Sequence, residues 1–188
     1  MTTPSVDPTA ALVLIDLQNG ILSLPTVTPS AEILARGSAL ADAFRAAGRP
    51  VVLVNVGWSP DGGDMLSART AVGGSAMPPG PGFDEFPAEL GAQPSDIRVT
   101  KRQWGAFYGT ELDLQLRRRG VTQIVLAGIS TSIGVESTAR AAWEHGYDLL
   151  IVEDATTDTD PDAHANSFTR IFPRIAQLAT TDAVLAAA

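Results

Sequence analysis

The sequence predicts an α/β protein, with three α/β/α layers built around a mainly parallel central sheet. Three observations carry this. Short, continuous apolar runs over 11–15, 51–56, 121–127 and from Leu149 to Val152 are rich in β-branched residues, as strands buried on both faces are. Stretches of helical spacing alternate with these runs, the order of parallel crossover units rather than of hairpins. Polar residues follow the ends of several runs, and ligands of an open parallel sheet bind beyond the carboxyl ends of its strands.

Taken in order, residues 11–15 form the first strand, which ends at Asp16. Pro25 and Pro29 punctuate the loop that follows. The spacing predicts a helix over 30–47, with Ser30 as N-cap and Gly48 as the stop. Residues 51–56 are a second buried strand, finished by Gly57. Residues 61–93 are the least regular part and hold seven of the 17 glycines. A loop of that length is functional or mobile, and this one is expected to cover an active site. Residues 97–100 make a short strand ending at Lys101, and Gly109 or Thr110 opens a helix that runs to Arg119 and is closed by Gly120.

The strand over 121–127 is expected to end at Gly128, with a hydroxyl-rich turn over 129–133. Helical spacing then begins at Gly134 and places Val135, Thr138, Ala139, Ala142 and Trp143 on one face. Gly146 stops that helix, and the next strand begins at Leu149. Residues 161–176 read as helix despite Pro173, and a short strand or tail finishes the chain. No repeat, low-complexity tract or linker interrupts the order, so residues 1–188 are expected to form one domain.

Composition narrows the function. Of 188 residues, 45% are hydrophobic and 18% charged, the profile of a folded domain. The net charge of −8 argues against nucleic acid as a partner. The one basic cluster, Arg117, Arg118 and Arg119, falls at a helix end, where cations complement the dipole. There is no cysteine, which excludes disulfides and Cys-ligated metal. MTTPSVDPT has neither the basic nor the apolar region of a signal peptide, and no apolar run reaches membrane-spanning length. A cytoplasmic enzyme with a small-molecule substrate, and with no nucleic-acid or membrane partner, is the expectation.

Four strand ends carry polar residues: Asp16, Asn55, Lys101 and the turn over 130–134. Each alone has an ordinary explanation. Asp16 would cap the next segment, Asn55 satisfy loop backbone, Lys101 stand solvated beside Arg102, and Ser130, Thr131 and Ser132 bond to their own turn. Gathered at one end of a sheet, they form a candidate site. Trp58, Trp104, Phe107 and Tyr108 are candidate walls because each follows a strand end, with core packing an equal claim on Phe107.

The run GISTSIGVESTARAAWEHGYDLLIVEDAT resembles the signature of the isochorismatase-like (cysteine hydrolase) superfamily, which includes nicotinamidases and other amide hydrolases. Gly128, Thr131, Val135, Thr138, Gly146, Tyr147, Asp154 and Ala155 carry the match. Asp16-Leu17-Gln18-Asn19 resembles the motif after the first strand, and KRQWGAFYGTELDLQLRRRG the segment that bears the family's Lys. The resemblance spans nearly the whole chain and implies the same Rossmann-like fold. It also implies a catalytic triad at Asp16, Lys101 and position 134, and a cis Ile129–Ser130 peptide. Gln18, Asn55, Trp104, Phe107, Ser130 and Thr131 are the candidate substrate contacts. Position 134 departs from the pattern: the nucleophilic Cys is replaced by Gly134.

In Cys-bearing relatives the Asp takes the thiol proton, the Lys supports it, and turn N–H groups hold the oxyanion. Gly134 rules out a covalent intermediate at that position. Members acting on isochorismate manage without the Cys, because a vinyl ether needs a proton rather than a nucleophile. Carried over, Asp16 is the acid and Lys101 its charge partner; burial would raise the carboxyl and Lys101 would oppose the rise. Those members have Tyr-Ala-His in this turn, whereas Ser130-Thr131-Ser132 resembles the amidase branch with its Cys lost. The expectation is a Cys-independent hydrolase, with vinyl ether hydrolysis releasing pyruvate as the specific form. The alternative is a non-catalytic small-molecule-binding or assembly protein. No cofactor and no catalytic metal are expected, since Asn55-Val56-Gly57-Trp58 lacks a histidine and His145 and His164 fall on later helices. Relatives imply a homo-oligomer, dimer or tetramer.

Overall fold

The computed structural model describes residues 5–71 and 79–188. Strand β1 (Ala10–Ile15) is buried at all six positions because both of its faces are covered. Ala11, Val13 and Ile15 pack into one layer, and Ala10, Leu12 and Leu14 into the other. After a one-turn helix α1 (Asn19–Leu22) comes α2 (Ser30–Ala46), which buries Ile33, Gly37, Leu40, Ala41 and Phe44 at helical spacing. Ser30 is the first helical residue rather than its cap; its hydroxyl donates to the Leu22 carbonyl at 2.6 Å. Gly48 ends the helix in the left-handed region.

The other elements are β2 (Val51–Val56), β3 (Ile97–Lys101), α3 (Leu112–Arg118), β4 (Gln123–Ile129), α4 (Glu136–Glu144), β5 (Asp148–Thr157), α5 (Pro161–Asn166), β6 (Gln177–Ala179) and α6 (Thr181–Ala187). The strands make one sheet in the order β3-β2-β1-β4-β5-β6, and every neighbouring pair is parallel. One face is covered by α3, α4 and the segment with Phe168 and Phe172; α2 and α6 cover the other. The order reverses between β1 and β4, so the loops leaving them diverge and open a crevice.

Several boundaries differ from expectation, among them the start of α3, at Leu112 rather than Gly109 or Thr110. Residues 161–176 are α5, a π-type turn Ser167–Ile171 and a short 3-10 turn Phe172–Arg174, because Pro173 cannot extend an α-helix. The tail is a strand followed by a helix, α6, whose start is capped by the Thr180 hydroxyl. Trp143 is 54% exposed rather than part of the buried face of α4, which is Thr138, Ala139 and Ala142. Of the irregular stretch over 61–93, residues 72–78 lie outside the described residues.

The end of β4 is the most informative. Gly128 does not end β4 but sits inside it, where the register against β5 shifts between Leu126 and Gly128. Its φ is 123°, and a Cβ there would lie 2.1 Å from the Ile15 carbonyl oxygen. Only glycine permits β1 and β4 to close this tightly at the switch point. Gly128→Ala is therefore expected to cost on the order of 3–5 kcal/mol, combining backbone strain and overpacking. Gly146→Ala, also at positive φ but in open space, should cost only about 1 kcal/mol. Urea midpoints compare the two; equal losses would mean that the contact with Ile15 does not matter.

Candidate active site

Three strand ends converge at the switch point. Asp16 follows β1, Lys101 ends β3, and the segment after β4 passes through a cis Ile129–Ser130 peptide into a π-type turn, Thr131–Val135, before α4 begins. The strand thus runs two residues further, and the regular helix starts two residues later, than spacing suggests. Among the described residues, Asp16 is the one non-glycine residue with positive φ, 52°. Aspartate tolerates that conformation better than most residues, and such positions cluster at functional sites.

The Lys101 Nζ donates to Asp16 Oδ2 at 2.7 Å and to the Gln103 carbonyl at 3.1 Å. Both side chains are almost wholly buried. Burial pushes the Asp16 carboxyl up to about 6, and the Lys101 ammonium restrains it from rising further. Its second oxygen, Oδ1, is buried with no hydrogen-bond partner among the described residues. Gly134 faces this pair: a Cβ at that position would lie 3.3 Å from Asp16 Oδ2. The Thr138 hydroxyl fixes the glycine by donating to its carbonyl at 2.7 Å, and it accepts from Ala106 N at 3.1 Å.

A cavity of about 310 Å³ opens over these groups, smaller than a hollow at the opposite end of the sheet but the one that meets the buried acid. Its walls are largely apolar, with Trp58, Met65, Leu66, Trp104 and Ile133 around Asp16, Lys101, Ser130 and Gly134. Met65 and Leu66 come from the irregular stretch, which in that part does form a wall of the site.

Several expected contacts lie elsewhere. Gln18 is fully buried and works as a bracket, with its amide bonded to Val56 N, Val56 O and Phe83 O. Asn55 donates to the Asp84 carbonyl and accepts from Thr100, so it satisfies loop backbone rather than facing the cavity. Phe107 belongs to the core, stacked on His145 at 5.0 Å. Thr131 is fully buried, its hydroxyl 2.8 Å from His164 Nδ1, and Tyr108 points to solvent. Trp104 and Ser130 do line the cavity. Among the described residues, no three His, Asp or Glu side chains come together as a metal-binding group.

Asp158 escaped the sequence reading. It follows directly on β5 and accepts from Ser132 N at 2.7 Å and Ser132 Oγ at 2.8 Å, holding the turn in place. The rule that found Asp16 would have found it, had the strand been extended past Val152 to Thr157. With Ile133 and Val135 donating to the Ser130 carbonyl, three amides of the turn are already engaged.

The balance of burial against Lys101 sets the acid. Lys101→Met keeps the stem and removes the charge, so the Asp16 titration midpoint should move up from about 6. Carboxyl-carbon NMR would read it; a midpoint unchanged or lower would mean that Lys101 does not govern the acid.

The isochorismatase domain model matches residues 10–183. An uncharacterized isochorismatase family protein, YecD of Escherichia coli O157:H7, is 51% identical across 94% of this chain and 95% of its own length. The structure of an isochorismatase family protein from Burkholderia thailandensis is 49% identical and superposes with a TM-score of 0.95, covering 99% of this chain and 98% of that one. N-carbamoylsarcosine amidase from Thermoplasma acidophilum is 30% identical, with a TM-score of 0.76 over 93% and 97% of the two chains. No helix of the described residues is long and apolar enough to cross a membrane. The chain belongs to the isochorismatase family of hydrolases.

Proposed function

We propose that this chain hydrolyses a small molecule by moving a proton through Asp16, with no covalent bond to the protein. The reaction that fits best is hydrolysis of a vinyl ether, with pyruvate released when the ether is an enolpyruvyl one. One observation carries the reading: a buried carboxyl, raised to about 6, lies beside a position where an amidase of this family would need a thiol and where Gly134 stands.

The chemistry then follows. Protonated Asp16 gives its proton to the enol-ether carbon, and the positive charge left on the adjoining carbon is shared with the ether oxygen. Water adds to that carbon and returns a proton to the Asp16 carboxylate, which Lys101 stabilises while it is charged. The hemiketal breaks its carbon–oxygen bond to give a ketone and an alcohol. Arg102 also lines the cavity, with its charge already paired with Asp64 at 2.7 Å. Among the described residues, Ser130 is the turn hydroxyl that lines the cavity, and those of Thr131 and Ser132 lie outside its wall.

Steady-state turnover of enol ethers, isochorismate first, against nicotinamide and N-carbamoyl amides tests the reaction class. Asp16→Asn should lose roughly 10²–10⁴-fold in kcat while binding is kept. Ser130→Ala should cost far less. The opposite ranking, with a trapped adduct on a hydroxyl, would replace the mechanism with a Ser acyl-enzyme. Failure to turn over any of these substrates, with binding retained, would favour the non-catalytic alternative.

The pH profile has a definite sign. The acid form is required, so kcat should be flat below about 6 and fall about tenfold per unit above it. A rate that climbs with pH through this range would make Asp16 a base instead.

A further inference from the structure

The wall of the Asp16 cavity is not equally firm all round. Trp104 is followed by the buried Ala106 and Phe107, and Ile133 by the buried Gly134 and Val135. Met65 and Leu66 have no such support. From Trp58 to residue 71 no residue is buried, and neither Met65 nor Leu66 belongs to either core layer. Leu66 lines the cavity while remaining 70% exposed. A segment with so little buried apolar surface opens at small cost.

The segment owes its shape to itself. Met65 N donates to the Gly62 carbonyl at 3.0 Å, and Gly62 N to the Ser59 carbonyl at 2.8 Å. Asp64 Oδ1 accepts from Ser59 N and Ser59 Oγ, both at 2.7 Å. Two turns thus close on Asp64 and make residues 59–65 one compact unit. Its attachment to the protein is slight. Among the described residues, the one hydrogen bond from 59–71 to another part of the chain is Arg102 Nε donating to Asp64 Oδ2, at 2.7 Å.

Arg102 is placed to act as a strap. Its Nη1 also donates to the Gly57 carbonyl at 2.8 Å, and its own carbonyl accepts from Trp58 Nε1 at 3.0 Å. The base of the segment is therefore tied to the same residue as its tip. Arg102 directly follows Lys101. The lysine is 2% exposed and holds Asp16; the arginine is 45% exposed and holds Asp64.

We infer that residues 59–66 are a lid over Asp16, latched shut by the Arg102–Asp64 pair. An ion pair facing water holds an equilibrium by no more than about fivefold, which suits a latch that must part in every cycle. When it parts, the contacts to Gly57 and Trp58 keep the base in place. The tip then swings out, carrying Met65 and Leu66 away from the acid and widening the entrance for substrate. The lid serves the site of the reaction proposed above, but its opening can be read without any turnover.

The chain has no cysteine, so Ser130→Cys places a single thiol in the cavity wall. Its rates with N-methylmaleimide and with the much bulkier pyrene maleimide are compared. The chemistry is the same for both, so their ratio cancels changes in thiol acidity and reports the width of the entrance. Asp64→Asn and Arg102→Gln should each raise the bulky-to-small ratio about two- to fivefold, and Arg102→Lys, which keeps the charge, by less. In about 1 M sodium chloride the screening length is about 3 Å, and the ratio without either change should approach that of Asp64→Asn. Glu32→Gln, which breaks an exposed ion pair on α2 outside the cavity wall, should change nothing. A rise in both latch variants supports the lid, and a ratio left unchanged by either overturns it. Where the thiol reacts with neither reagent, amide hydrogen exchange over 59–66 decides: quickened by Asp64→Asn if the latch holds, unchanged if it does not.

Discussion

The site depends on a buried ion pair that reaches across a strand. Lys101 ends β3 and Asp16 follows β1, and β2 lies between them, so the two side chains together span two strand spacings, roughly 10 Å between strand axes. Taking both charges out of water is expensive, and such pairs add little net stability. The surrounding structure is built to hold them all the same. Gln18 brackets the ends of β1 and β2, the Gln103 carbonyl takes a second proton of Lys101, and Gly128 lets β4 press against Ile15 directly before the acid.

The sheet was legible because both of its faces are buried, which leaves unbroken apolar runs in the sequence. Residues 51–56 were placed to the residue, and β1 and β3 to within one. The switch point was harder. A glycine after an apolar run reads equally as a strand stop or as a close approach inside a strand, and only the partner strand decides between them. The same limit applied to side chains. Asp16 and Lys101 were found because few other roles suit a charge at the carboxyl end of a buried strand. Gln18, Asn55 and Thr131 also follow strand ends, yet their partners, Val56, Asp84 and His164, are distant in sequence and were invisible to spacing.

An acid without a nucleophile narrows the chemistry in a physical way. A carboxyl near 6 is poised to give or take a proton around neutral pH, whereas an amide demands attack on a carbonyl carbon. The turn has also spent much of what an amidase would use, with three of its amides engaged by Asp158 and by its own carbonyl. Membership of the family supplies the frame; in the proposed reaction Asp16 supplies the acid, and the side chain at position 134 sets which reactions remain open.

That position has a short mutational reach. Two of the four glycine codons lie a single base from a cysteine codon, so a thiol-bearing version of this chain is one substitution away at the protein level. Structurally the step has a cost: a Cβ at 134 would first meet the branched methyl Cγ2 of Ile15, at 2.9 Å, and that residue is fully buried and stiff at χ1, so the packing around it must shift. Under the proposed reaction, proton-transfer and thiol chemistry in this fold are separated by one side chain and a local shift of packing around Ile15.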